Sequence, residues 1–301
     1  MKCLTEDKAY YAFSVENEPV LTVEQGEAFA LDTQDCYGNQ IKSQADAMDT
    51  FDWNHTNPTT GPVYIEGIKK DDIICIDIKK IELRGKSVMM TYKGCDIAKG
   101  VDASEVCLMD NSDGILTIPT KNGDIKVPTK PMIGVIGVAT PEPVGNAVPA
   151  EHGGNMDCNL MCEGAKLYLK TFADGALVSC GDIHAVMGDG EVVSCGAETP
   201  ATVTLSVAAA AEKRLPVPFL ETEDKYVVIA SAPDLNGAAQ MAVDRMFYFL
   251  AEIAGIDRSD AGRLMSLVGD LRICQIVDPQ ITCRFEFPKA VLAKMGFAGI
   301  S

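Results

Sequence analysis

Nowhere in the sequence do about 18 apolar residues run together, so no membrane-spanning helix is expected. The opening residues Met1 to Tyr10 mix charged and polar positions where a secretory leader would set a basic stretch before an apolar one, and no leader is expected either. Positive charge is also scarce: 26 Lys and Arg stand against 43 Asp and Glu, a net charge of -17. Nucleic-acid affinity depends on Lys and Arg neutralising phosphates, so nucleic acid and anionic membrane are not expected as partners. The 11 cysteines are odd in number and form no compact framework; Cys75 and Cys107 read as ordinary strand residues. A reducing cytoplasm is the expected setting. No serine sits in Gly-x-Ser-x-Gly, and neither a P-loop nor a Gly-x-Gly-x-x-Gly fingerprint occurs, which removes the motif support for a serine hydrolase, an NTPase or a dehydrogenase.

What is present is a chain of 301 residues, 47% of them apolar, enough for a sizeable core. From about Val15 to Val207 it breaks every few residues at Gly, Pro, Asn or Asp, and the pieces between are short, β-branched and often alternating, a mainly β signature. In Asp72 to Leu83, Ile74, Ile76 and Ile78 share one face; the apolar phase then shifts to Ile81 and Leu83, which predicts a bulge. Further strands are predicted over Leu167–Phe172, Leu177–Cys180, Ala185–Met187, Glu191–Ser194 and Thr202–Val207, joined by hairpin-type turns at Ala-Asp-Gly-Ala, Gly-Asp and Gly-Asp-Gly. A sandwich or barrel follows.

A change of texture after residue 208 marks the expected boundary between a β-sandwich domain, 1–208, and a smaller α+β region, 209–301. Pro216 and Pro218 argue against a helix there. Over Gly237–Ala254, Ala242, Met246, Phe249, Leu250 and Ile253 recur at helical spacing, which predicts an amphipathic helix able to serve as an oligomer contact. Gly255 ends it, Ser259 and Asp260 are placed to cap a second helix to about Val268, and strands are expected at Leu271–Val277 and Gln280–Phe287.

The three histidines all lie in Gly, Asn, Asp or Pro-rich contexts rather than in apolar runs. His152 opens His-Gly-Gly-Asn-Met-Asp157, where two glycines let the backbone approach a ligand closely between imidazole, amide and carboxylate groups. Asp182 and His184 are two apart, so an extended segment puts both on one face as a pair of metal ligands. His55 lies in a turn-rich loop, Asp35 follows a strand-like run, and Glu198 sits beside Pro200 as a general base or a solvated residue. Asp189, in Gly-Asp-Gly, reads as a turn residue. Three histidines and several aspartates fit a divalent ion such as zinc, bound by nitrogen and oxygen with one position open. Such an ion activates water and polarises an amide carbonyl, while a carboxylate passes the proton to the departing ammonia.

At these loops the chain resembles the acetamidase/formamidase family. The blocks are Asn54-His-Thr-Asn-Pro-Thr-Thr-Gly-Pro-Val-Tyr-Ile-Glu-Gly67, His152-Gly-Gly-Asn-Met-Asp157, Gly181-Asp-Ile-His-Ala185 with Gly188-Asp-Gly-Glu191, and Gly269-Asp-Leu-Arg-Ile-Cys-Gln-Ile-Val-Asp278. The resemblance implies a jelly-roll-like β-sandwich with an appended α+β part, hydrolysis of formamide, acetamide or similar amides, metal dependence and homo-oligomerisation. Position by position it favours His152, Asp157, Asp182 and His184 as site residues, then Asp35, His55 and Glu198. Asp35, His55, His152, Asp157, Asp182 and His184 are thus the candidate metal ligands, and Glu198, Asp157 and His152 the candidate catalytic groups. Met187 departs from the family pattern, in which glutamine is expected there; a thioether lacks the amide's hydrogen bonds, so the loss of a contact that orients either a metal ligand or the substrate is expected.

Two other readings compete. A cysteine-nucleophile amidase would use Cys158, Cys162, Cys180 or Cys195, and needs a cation or helix N-terminus beside the thiol. A non-catalytic binding module on the same fold would have lost the chemistry.

Overall fold

The computed structural model describes residues 1–44, 51–95 and 97–300. These form 21 strands, numbered in chain order, most of them in two sheets. The large sheet has the order β1 (Lys2–Leu4), β5 (Ala28–Thr33), β17 (Ala201–Ala209), β7 (Ile73–Leu83), β15 (Lys166–Lys170), β18 (Phe219–Glu221), β19 (Lys225–Ala232), β21 (Ile281–Pro288) and β20 (Asp270–Gln275). The smaller sheet runs β14 (Gly153–Asn155), β12 (Met132–Val138), β16 (Val178–His184), β6 (Thr59–Ile65) and β2 (Ala9–Tyr10), with β4 (Leu21–Val23) also on β6. Three pairs complete the set: β3 (Ala12–Phe13) with β13 (Val144–Gly145), β8 (Ser87–Thr91) with β9 (Glu105–Met109), and β10 (Ile115–Ile118) with β11 (Ile125–Pro128).

Alternation sorts β7 between two cores. Ile74, Ile76 and Ile78 enter the cluster between the sheets, with Leu31 and Val203 from the large sheet and Val63, Ile136 and Val178 from the small one. Ile73 and Cys75 point the other way, into a second cluster beneath the C-terminal helices. The predicted bulge is present: Thr204 pairs with Lys80 and Leu205 with Ile78, leaving Lys79 as the extra residue.

The helix α1 spans Leu235–Tyr248 and runs on through a π-helical turn, Phe249–Ile253. Asp234 accepts the Gly237 N–H, which starts it two residues earlier than the apolar pattern predicts. Met246, Phe249 and Leu250 are buried as predicted, while Ile253 is half-buried. The second helix, α2 (Arg258–Val268), is capped by Asp257 rather than by Ser259 or Asp260. A short α3 (Lys289–Lys294) follows β21.

Two expectations are corrected. Gly181-Asp182 is no turn but the middle of β16; Gly181 lies against the Pro58 carbonyl, where a Cβ would collide. Ala185–Met187 and Glu191–Ser194 are not strands, and Glu191 and Ser194 have φ of 46° and 66°. Strands β18 to β21 extend the large sheet from β15. The protein is mainly β, a two-sheet sandwich with helices packed near its C-terminus.

Candidate active site

The smaller sheet gathers polar side chains around Gly134. Strand β16 carries Asp182 and His184, with His184 Nε2 3.4 Å from Asp182 Oδ1. Beyond β14 the chain folds back so that the Met156 and Asp157 N–H groups both donate to the Gly134 carbonyl, at 3.1 and 3.3 Å. That places Asp157 Oδ1 4.0 Å from His184 Nε2. Glu198, just before β17, exchanges backbone hydrogen bonds with Val88, and its Oε1 lies 3.2 Å from His184 Nε2 while accepting the Gly196 N–H at 3.0 Å. Gly134 sits between the pairs Ile133–Ile183 and Val135–Gly181, where any Cβ would strike the Asp157 and Asp182 carboxylates; Gly196 leaves the same kind of room for the His184 ring.

Two residues that sequence reasoning passed over complete the group. Ligand atoms of Asp157, His184 and Glu191 lie within 4.8 Å of one another, as do those of Cys36, Asp182 and Glu198. Asp278, past β20, accepts a hydrogen bond from Asn155 Nδ2 at 2.8 Å and presses electrostatically on Asp157. Both Glu191 and Asp278 end the family-like blocks quoted above, which was the available signal. Asp278 also lines a cavity of about 560 Å³ with Tyr92, Lys93 and Ser194, so the cluster shares a wall with open space.

Four buried carboxylates therefore surround one imidazole, with half-buried Asp278 beside them. Burial raises the Asp157 carboxyl well above its ordinary range, with repulsion from Asp278 and Asp182 added and His184 opposing. Burial also raises Glu191 and Asp278, with repulsion from Asp157 and from Glu191 added respectively, and pushes Glu198 up to about 7 despite the pull of His184. For His184 burial works downward, but Glu198 and Asp182 more than reverse it and hold the imidazole well above its usual value. Both Asp157 carboxylate oxygens, both His184 nitrogens and Glu198 Oε2 are buried without a well-formed hydrogen bond. An unpaired buried polar atom typically costs about 1–3 kcal/mol, so such a concentration marks a place built for something besides stability.

The backbone points the same way. Asp157, Asp182 and Glu191 all adopt left-handed φ, at 43°, 58° and 46°. Aspartate tolerates this region better than glutamate, and each such residue costs about 1–3 kcal/mol that the surrounding structure must offset.

The remaining candidates are held by other contacts. Asp35 is buried, but its Oδ1 accepts the Tyr37 and Asn39 N–H groups at 3.0 and 2.8 Å in the Asx-turn manner; burial raises it to about 6, with Asp182 adding a weak repulsion. His55 is exposed, 2.5 Å from Asp52 and edge-on to Tyr11, and is not among the residues gathered around His184. His152 is buried edge-on to Phe13, its Nε2 unpartnered, and burial lowers it to about 4. The two glycines after it serve close packing: a Cβ at Gly153 would strike the Ile136 carbonyl and one at Gly154 the Val148 carbonyl. Met187 lines an apolar cavity of about 240 Å³ with Met89, Met109, Val186 and Glu191.

The model of the Acetamidase/Formamidase family matches residues 5–147 and 142–294. The chain belongs to the acetamidase/formamidase family. Within it, the chain is similar to the structure of an acetamidase from Bacillus halodurans, at 35% identity and a TM-score of 0.93, over 98% of this chain and 99% of that one. It is equally similar to a predicted acetamidase/formamidase from Thermoanaerobacter tengcongensis, at 38% identity, a TM-score of 0.93 and 99% of each chain. A 49-residue stretch is 43% identical to the acetamidase of Mycolicibacterium smegmatis, which is 16% of this chain and 12% of that relative. No helix among the described residues is long and apolar enough to cross a membrane.

Proposed function

We propose that the protein hydrolyses the carbon–nitrogen bond of small linear amides, formamide and acetamide among them, to a carboxylate and ammonia, with a divalent metal ion, zinc by its donor set, held in the acid cluster. One observation carries the reading: His184 Nε2 lies 3.2, 3.4 and 4.0 Å from oxygens of Glu198, Asp182 and Asp157, on a fold shared with acetamidases. Ligands about 2.0–2.2 Å from one tetrahedral ion stand about 3.3–3.6 Å apart, close to the spacing of these atoms. The Asp157 oxygens and His184 nitrogens, unpartnered within the protein, fit such an ion, and its charge would let the carboxylates stay ionised together. Bound there, the ion would lower the pKa of water and polarise the amide carbonyl.

The chain's own groups have these roles. Asp157, Asp182 and His184 would hold the ion, with Glu191 within reach. Glu198 is the proton carrier: the Gly196 N–H pins Oε1, leaving Oε2 free to take a proton from water and hand it to the departing nitrogen. The cavity beside Asp278 gives the amide its approach. Assembly into a homo-oligomer and a cytoplasmic setting belong to the same proposal.

Treating purified protein with a chelator should abolish ammonia release from C1 to C4 amides, and adding back zinc should restore it. Turnover unaffected by complete metal removal would refute the metal half of the reading, and no turnover of any amide by the metal-loaded protein would refute the whole.

A cysteine nucleophile fits poorly. Cys180 and Cys195 are buried and pushed up to about 12, and burial also raises half-buried Cys162. Cys158 is lowered through its hydrogen bond with Cys274, but it lies fully buried in the core between the sheets. Single alanine replacements of Cys158, Cys162, Cys180 and Cys195 should leave turnover within about tenfold, or roughly 1.4 kcal/mol. Trapping an acyl group on any of them by mass spectrometry would replace water with a thiol as the nucleophile.

A further inference from the structure

The Gly188–Glu191 segment, a turn by its sequence, is strapped to the C-terminal strands. The two Asp189 carboxylate oxygens accept Arg284 Nη1–H and Nη2–H at 2.8 Å each, a bidentate pair, and Asn159 Nδ2 donates to Oδ1 at 2.8 Å. The Arg284 side chain, 3% exposed on β21, is itself fixed through Nε, which donates to Glu286 at 2.8 Å. Gly190 donates to the Cys274 carbonyl at 2.9 Å and accepts from Ile276 at 3.3 Å, so the segment is tied to β20 as well. The next residue is Glu191, at φ 46°, with its carboxylate in the group formed with Asp157 and His184.

A glutamate has no intrinsic preference for this conformation, and its placement requires burying a charge among like charges. The flanking glycines give the segment freedom, not direction. We infer that the Asp189–Arg284 pair is a positioning device that holds Glu191 in the acid cluster. Asn159, two residues after Asp157, ties the same carboxylate to the other side of the cluster, so Asp189 sets the spacing between Asp157 and Glu191. The functional half of this inference rests on the cluster being the active site.

Asp189→Asn removes the charge and half of the bidentate contact, while Arg284→Lys keeps a cation beside Glu286 but cannot form the fork. Asp189 is one-third exposed, so its variant should fold. Crystal structures should show the Glu191 carboxylate displaced from Asp157 and His184 in both variants, whether or not any amide is turned over. Zinc affinity of chelated protein and kcat should each fall about 10- to 100-fold, as for other outer partners of metal ligands. In a Glu191→Gln background the same Asp189→Asn change should cost less than about twofold, because the residue through which it acts is already lost. An undisturbed Glu191 in both crystal structures overturns the inference. Full additivity with Glu191→Gln also overturns it, since a strut that only joins strands would weaken both backgrounds equally. Failure of the wild type to hydrolyse amides would instead count against the proposed function, leaving the structural result to decide the strut.

Discussion

His184→Ala should lose bound metal and at least about a thousandfold of amidase activity, a loss of roughly 4 kcal/mol of transition-state stabilisation. His184 supplies the nitrogen in a group whose other members are carboxylates, and its Nε2 is the atom from which the oxygens of Glu198, Asp182 and Asp157 are spaced at 3.2 to 4.0 Å. Asp182→Asn should lose metal and activity together in the same way, since an amide is a far poorer ligand than a carboxylate. The variant also separates function from stability. Asp182 is among the groups whose repulsion raises Asp157, Glu191, Glu198 and Asp278, so a neutral amide in its place relieves that repulsion. The metal-free Asp182→Asn protein should therefore melt no lower than metal-free wild type. Stoichiometric metal in both variants by elemental analysis, with more than a tenth of the activity kept, would place the ion elsewhere.

The second large effect is on stability. Phe249, fully buried where α1 passes into its π-helical turn, packs at ring-centroid distances of 4.8 Å from Phe219, 5.2 Å from Tyr226 and 5.9 Å from Phe297. It therefore joins the large sheet, the helix and the C-terminal segment in one aromatic cluster. Truncation to alanine loses the buried ring and leaves a cavity that these neighbours cannot close, at a cost of about 3–5 kcal/mol. Because all of these contacts lie within one chain, the loss should appear as a lower denaturation midpoint at every protein concentration. An unchanged midpoint would mean that the helix does not pack as described. A midpoint that falls only on dilution would mean that Phe249 acts through a contact between copies.

The sequence by itself determined the local periodicities. Alternation along Ile73–Leu83 fixes which residues face each core and even where the bulge falls, because side chains on a pleated strand point to opposite faces with period two. The apolar spacing over residues 237–254 fixes the buried face of α1 for the corresponding helical reason. Asp182 and His184 do come together, at 3.4 Å, but Asp182 has a φ of 58°, so the two-residue spacing of an extended strand does not by itself account for their meeting.

The tertiary structure decided which of the polar loops meet. Asp157 reaches His184 because β14 and β16 both flank β12, and Glu198 because its segment pairs with Val88 and faces His184 across an isolated bridge. His55 and His152 carry equally suggestive neighbours but are delivered elsewhere, one to an exposed ion pair and the other against Phe13. Glu191 and Asp278 are brought in from distant parts of the chain through backbone turns and strand pairing. No periodicity encodes such convergence: it depends on long-range register and on left-handed φ at Asp157, Asp182 and Glu191, conformations that these side chains disfavour and only the assembled sandwich imposes.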